Sequence, residues 1–97
     1  MHTDQQLIAA IQAQFARYPA IKKAVLFGSR ARGDNTERSD YDIAVYGNLT
    51  RLERATLRYA CDEELPTLHK IDLIFMQEQS PSAFTENIER EGIAIYG

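Results

Sequence analysis

The sequence predicts an α/β fold (α+β in the looser sense): a small mixed β-sheet packed with helices. Short apolar runs ended by glycine or polar turns alternate with stretches of helical periodicity. Helix-start signals precede three of those helical stretches. The 97 residues match one domain, taken as residues 1–97, near the lower end of what folds around a single core.

The elements follow in order. Thr3 with Gln6 resembles a capping box, and Leu7, Ile8, Ile11 and Phe15 then recur at helical spacing up to the break at Pro19. Ala24-Val25-Leu26-Phe27 is a fully apolar run ended by Gly28, the pattern of a buried strand. Residues 28–39 are polar and turn-rich around Gly33, Asp34 and Asn35, with Ser29 a candidate cap for a short helix. Asp40 to Val45 reads as a second strand. Thr50 with Glu53 opens a helix running to about Leu65, before Pro66. Ile71 to Met76 is a third strand, apolar except for Asp72. Ser80-Pro81 forms an N-cap and N1 pair for a helix that carries Phe84, Ile88 and Glu91 on one face and ends at Gly92. Ile93 to Tyr96 is a short apolar tail and a candidate fourth strand.

Composition narrows the function classes. An apolar share of 44% is that of a globular protein rather than a disordered one. No apolar run approaches the roughly 20 residues that span a bilayer, so no membrane association is expected. The N-terminus has no basic region followed by an apolar one, so no secretory signal is read there. Cys61, alone in the sequence, is expected to be a reduced structural thiol, and the cytoplasm is the expected location. The net charge of -3 argues against direct nucleic-acid binding. Yet between Lys22 and Arg38 five cations face two anions, a local positive field that suits a polyphosphate, although solvated loop charges would look the same.

Three carboxylates carry the chemistry. Asp40 and Asp42 are two residues apart on an expected strand, so both would point to one face, with Tyr41 on the other. Two such charges repel by about 4 kcal/mol at 4 Å in an effective dielectric near 20, and a divalent cation is a common remedy. Asp72 interrupts a third apolar strand, where an unpaired buried carboxylate costs several kcal/mol. If the strands are neighbours, the three converge on an oxygen-rich site suited to magnesium. Two such ions about 3.5–4 Å apart clamp the attacking and leaving oxygens of an in-line displacement at phosphorus. The alternative is a solvated Asp40, with Asp42 and Asp72 paired to arginines. Upstream, Gly28-Ser29 ends a buried strand where glycine lets the backbone approach a phosphate, and the Ser29 amide and hydroxyl could donate to it. No Walker-type GxxxxGK[ST] occurs.

Together these residues spell G-S-x10-D-x-D, within LFGSRARGDNTERSDYDIAV. The pattern resembles the signature of the DNA polymerase beta-like nucleotidyltransferase superfamily, and within it the small group called minimal nucleotidyltransferases. Asp72 in KIDLIFM fits the place of that family's third carboxylate, and the ending EGIAIYG is similar to the group's own. The resemblance implies the polymerase beta-like fold, with ATP as donor and two Mg2+ ions held by Asp40, Asp42 and Asp72. It implies that Gly28 and Ser29 hold the β- and γ-phosphates and that Asp72 also helps deprotonate the acceptor hydroxyl. Arg30, Arg32 and Arg38 are candidates for triphosphate contacts.

Larger relatives add a helical domain for base or acceptor, which is not expected here. His2 and His69 lack metal-ligand spacing and are expected at the surface, and the tyrosines are expected to pack rather than to stack bases. The resemblance further implies a HEPN-domain toxin as partner, with this protein as the antitoxin that transfers AMP onto a toxin tyrosine. The rival readings are an interaction module that neutralises its partner by occlusion, and nucleotidyl transfer to a small molecule.

Overall fold

The computed structural model describes residues 5–34, 36, 39–65, 67 and 69–97. The elements are α1 (Gln5–Phe15), β1 (Ile21–Phe27), α2 (Ser29–Arg32), β2 (Tyr41–Gly47), α3 (Arg51–Glu63), β3 (Ile71–Phe75), α4 (Ala83–Glu91) and β4 (Ile93–Tyr96), with a 3-10 turn at Met76–Glu78. The strands form one sheet in the order β3-β2-β1-β4. β1 runs antiparallel to both β2 and β4, while β2 and β3 are parallel. The sheet is therefore mixed, as the sequence predicts, and the apolar tail is its fourth strand.

Side-chain alternation assigns the two faces. Ala24 and Leu26 of β1, Tyr41, Ile43 and Val45 of β2, and Ile71, Leu73 and Phe75 of β3 join the main core. Onto it pack Leu7, Ile8, Ile11 and Phe15 of α1 and Leu57 and Cys61 of α3. The opposite face carries a smaller cluster of Val25, Ala44 and Ile88, the last from α4. Asp42 and Asp72 have the parity of that second face. Cys61 is buried, and burial, helped by Asp62, pushes its thiol up to about 12 against a small opposing effect of Arg58. It is thus a packing residue rather than a nucleophile.

Several boundaries differ from the sequence reading, each for a local reason. β1 begins at Ile21, three residues before its apolar run, because Lys22 and Lys23 lie exposed on strand backbone that pairs with β2. β2 begins at Tyr41, leaving Asp40 outside the sheet. β3 ends at Phe75, and Met76 enters the 3-10 turn. α3 has the expected capping box, with Glu53 N–H donating to Thr50 Oγ1 (3.1 Å) and Thr50 N–H to Glu53 Oε1 (2.9 Å), and ends at Glu63.

The last helix starts three residues after Ser80, with Ser82 as its N-cap. Ser82 finds a reciprocal partner in Thr85, whose Oγ1 accepts from Ser82 N–H at 2.9 Å, whereas the residue three beyond Ser80 is Ala83. Ser29 is likewise the first helical residue and Gly28 the N-cap. The expected roles of His2, Thr3, Asn35, Arg38 and Pro66 lie outside the described residues.

Leu57 has no exposed surface and joins α3 to the sheet. Leu57→Ala is expected to destabilise the fold by about 2–5 kcal/mol. Urea denaturation would read this as a lower midpoint at unchanged slope.

Candidate functional site

The site is built at the end of β1. Gly28 has φ 76° and ψ −155°, a region open in practice only to glycine. That conformation turns the chain from β1 into α2, where Ala31 and Arg32 N–H both donate to Gly28 O at 3.1 Å. A Cβ at Gly28 would lie 2.5 Å from Asp42 Oδ2. The turn therefore requires glycine here, and a side chain in its place would also push the Asp42 carboxylate aside. Ser29 is the first residue of α2, where backbone N–H groups have no intrahelical acceptor.

The pairing register brings the acids together. Phe27 of β1 lies opposite Asp42, and Asp42 is the parallel partner of Asp72. The condition set by the sequence reading, that the strands be neighbours, is met. Burial raises the Asp42 carboxyl above its ordinary 3.8, Asp72 and Asp40 raise it further, and Arg32 and Lys70 pull it partway back. Asp40 is exposed on the loop before β2, so the period-two argument applies to Asp42 and not to Asp40. Among the described residues, no three His, Cys, Asp or Glu side chains stand close enough to hold an ion by themselves. Asp40 lies outside the ladder that positions the other two, yet it acts electrostatically on Asp42 together with Asp72. Asp42 and Asp72 still supply adjacent oxygen donors under electrostatic strain. That open, hard-donor pair fits magnesium, which binds through one or two carboxylates and takes its other ligands from water and phosphate.

The arginines divide by role. Arg30 is 3% exposed. Its guanidinium stands 4.0 Å over the Tyr41 ring, and it donates to Ser39 O at 3.1 Å and Thr36 O at 3.4 Å. This side chain, expected at the triphosphate, is buried and holds Thr36 and Ser39 against the start of β2. Arg32 is half-exposed, pairs with Asp34 at 3.3 Å and acts electrostatically on Asp42. His69, expected at the surface, is partly buried, its ring edge-on to Tyr41 at 5.6 Å.

Sequence reasoning also missed a cavity of about 220 Å³ that shares Gly28 and Arg32 with the site. Phe27 and residues of α4 complete it. The signal was present in Phe84, Asn87, Ile88 and Glu91, spaced along one helical face. What could not be read was that this face meets the turn at Gly28.

The mixed sheet, the glycine turn into α2 and the paired aspartates define a nucleotidyltransferase fold. Residues 9–97 match the family model described as Polymerase beta, Nucleotidyltransferase, and the chain belongs to that family of enzymes. A relative from Methanocaldococcus jannaschii, MJ0604, provisionally named a protein adenylyltransferase, is 42% identical over 50 residues. That match takes in 50% of each protein, so the chain aligns with about half the length of this relative.

Among solved structures, a toxin–antitoxin complex with AMP-PNP matches with a TM-score of 0.70 at 21% identity, over 97% of this chain and 74% of the other. The complex of a tri-AMPylated Shewanella oneidensis HEPN toxin with its MNT antitoxin matches with a TM-score of 0.58 at 19% identity, over 93% and 72%. At such identities the likeness is one of fold.

Two outcomes follow from the geometry. Because the folded Asp42 pKa lies above its ordinary 3.8, this group's contribution to stability is fully present below 3.8 and is lost as pH rises through the folded value. Metal-free Asp42→Asn protein should therefore melt above the native protein at pH 7, with the difference closing as pH falls towards 3.8; thermal scans across pH check this. Arg30→Met should destabilise by about 2–3 kcal/mol through the lost charged hydrogen bonds and ring contact, measured by chemical denaturation.

Proposed function

We propose that this protein transfers AMP from ATP onto a hydroxyl of a partner protein, the partner being a HEPN-domain toxin and this protein its antitoxin. The observation that carries the reading is the desolvated Asp42, pressed against the Gly28 turn and registered with Asp72. A fold that keeps two carboxylates abreast at the mouth of a glycine turn holds a strained arrangement that a metal-bound polyphosphate relieves. The AMP-PNP complex and the AMPylated toxin among the fold relatives agree with this choice of donor and acceptor.

In the proposed reaction, Gly28 and Ser29 hold the β- and γ-phosphates, with Arg32 adding positive charge beside them. The acceptor oxygen forms a bond to the α-phosphorus as the bond to the β-phosphate oxygen breaks, and pyrophosphate leaves. Asp72 accepts the acceptor's proton. Magnesium held by Asp42 and Asp72, with Asp40 contributing from its loop, would supply charge neutralisation at the transferred phosphate. The protein's own part is orientation and preorganised charge.

A second reading, neutralisation by binding alone, is favoured by the outer face of α3. There Leu52 and Tyr59, seven residues apart, are 75% and 62% exposed. The two readings part at the aspartates, because occlusion does not need them.

Label transfer tests the proposal. With magnesium and the proposed HEPN-domain partner, ATP labelled at the α-phosphate should label the partner, and ATP labelled at the γ-phosphate should not. Asp42→Asn should lower that labelling by roughly 10²-fold or more. Label from the γ-position alone would make the protein a kinase. A stable complex without label from either position, still neutralising the partner as Asp42→Asn, would establish the binding module.

A further inference from the structure

We infer that the cavity between α2 and α4 is the nucleobase site, and that Asn87 and Glu91 select a 6-amino purine there. The inference rests on the nucleotidyl-transfer reading above and adds the residues that choose the base.

The cavity has the composition of a site for a flat aromatic ring. Its volume is about 220 Å³, and its walls are mainly apolar, made by Phe27, Phe84 and Ile88. The two phenylalanine rings meet edge to face, with centroids 6.0 Å apart and planes at 82°. Phe84 nevertheless remains 47% exposed, so much of this large aromatic surface is not used in packing the fold. A ring stacked on it would withdraw that surface from water, and base–aromatic stacking is tolerant of sequence because every base offers a π-face.

The cavity is continuous with the proposed phosphate site. Gly28 lines it, and the same Gly28 bears on the Asp42 carboxylate. Arg32, at its border, acts electrostatically on Asp42. A ligand with its phosphates at the turn therefore has an apolar recess next to them.

Selection comes from α4. Phe84, Asn87, Ile88 and Glu91 stand at i, i+3, i+4 and i+7, one face of the helix. Arg90 donates from Nη2 to the Asn87 Oδ1, which engages that oxygen and leaves the amide nitrogen to donate. Four residues on, Glu91 offers a carboxylate that only accepts. A donor beside an acceptor complements the amino-bearing edge of adenine, which presents a ring-nitrogen acceptor next to an N–H donor. A base with a carbonyl at C6 would place oxygen against the Glu91 carboxylate.

Calorimetric titration of the whole protein with magnesium and each of ATP, inosine triphosphate and inorganic tripolyphosphate tests this. The native protein is expected to bind ATP roughly tenfold more tightly than inosine triphosphate. Glu91→Gln, whose amide can present either a donor or an acceptor, should bring that ratio below about threefold. Phe84→Ala should weaken ATP by roughly tenfold and leave tripolyphosphate within about twofold. Because Phe84 is half-exposed, this variant should keep its fold, and Asn87→Ala gives an independent arm with the same expected pattern.

ATP affinity unchanged in all three variants, or tripolyphosphate weakened as much as ATP, would overturn the base-site assignment while leaving nucleotidyl transfer standing. Equal affinity of the native protein for ATP and inosine triphosphate would overturn the selection by Asn87 and Glu91. Failure of the native protein to bind either ATP or tripolyphosphate would overturn the nucleotidyl-transfer reading as well.

Discussion

The parallel register of β2 on β3 is the constraint on which the site depends. It sets Asp42 abreast of Asp72, on the sheet face opposite the main core. Antiparallel pairing with β1 then places Phe27, and hence the Gly28 turn, against the same carboxylate. A slip of one residue in either pairing would send the acids into the apolar core, where their desolvation would cost several kcal/mol. The apolar residues on alternate positions of β2 and β3 thus hold the acids in place. The fold accepts local repulsion between carboxylates because the packing of Tyr41, Ile43, Val45, Ile71, Leu73 and Phe75 fixes the register from the other side.

Tyr41 couples this register to the loop. Its ring is buried, with the Arg30 guanidinium stacked over it and His69 at its edge. Arg30 also donates to the carbonyls of Ser39 and Thr36, which ties α2 to these two residues and to the start of β2. Asp40 follows Ser39 directly and gains its position from that anchoring rather than from strand pairing. The site therefore draws on three elements, with Asp42 and Asp72 on the sheet, Asp40 on the loop before β2 and Arg32 on α2. Such a division suits chemistry in which substrate phosphates complete the coordination and draw the loop residues in.

Much of this was legible in the chain. The period-two pattern of β2 and β3, the capping box at Thr50 and the helical spacing of α1 each reflect a local rule that tertiary packing did not overturn. The three aspartates stood out because charge inside an apolar strand needs a reason. Less legible were features whose reason is a distant partner. Arg30 read as one more loop cation near a phosphate turn, since nothing local shows that Tyr41 lies beneath it. The start of α4 was misplaced because a threonine completes the capping pair of Ser82. Lys22 and Lys23 concealed the first half of β1, whose pairing is fixed by β2 rather than by its own composition.

The sequence by itself determined the sheet-and-helix makeup, the strands that carry Asp42 and Asp72, and the glycine that turns the chain into α2. Those follow from side-chain periodicity and backbone freedom, which are local properties. Only the tertiary structure decided that Asp40 stands outside the ladder, that Arg30 is a buried anchor, and that α4 closes a cavity beside Gly28. These depend on which surfaces meet across the fold, and a helix face with one phenylalanine, one asparagine and one glutamate has no stated purpose until the turn it faces is in place.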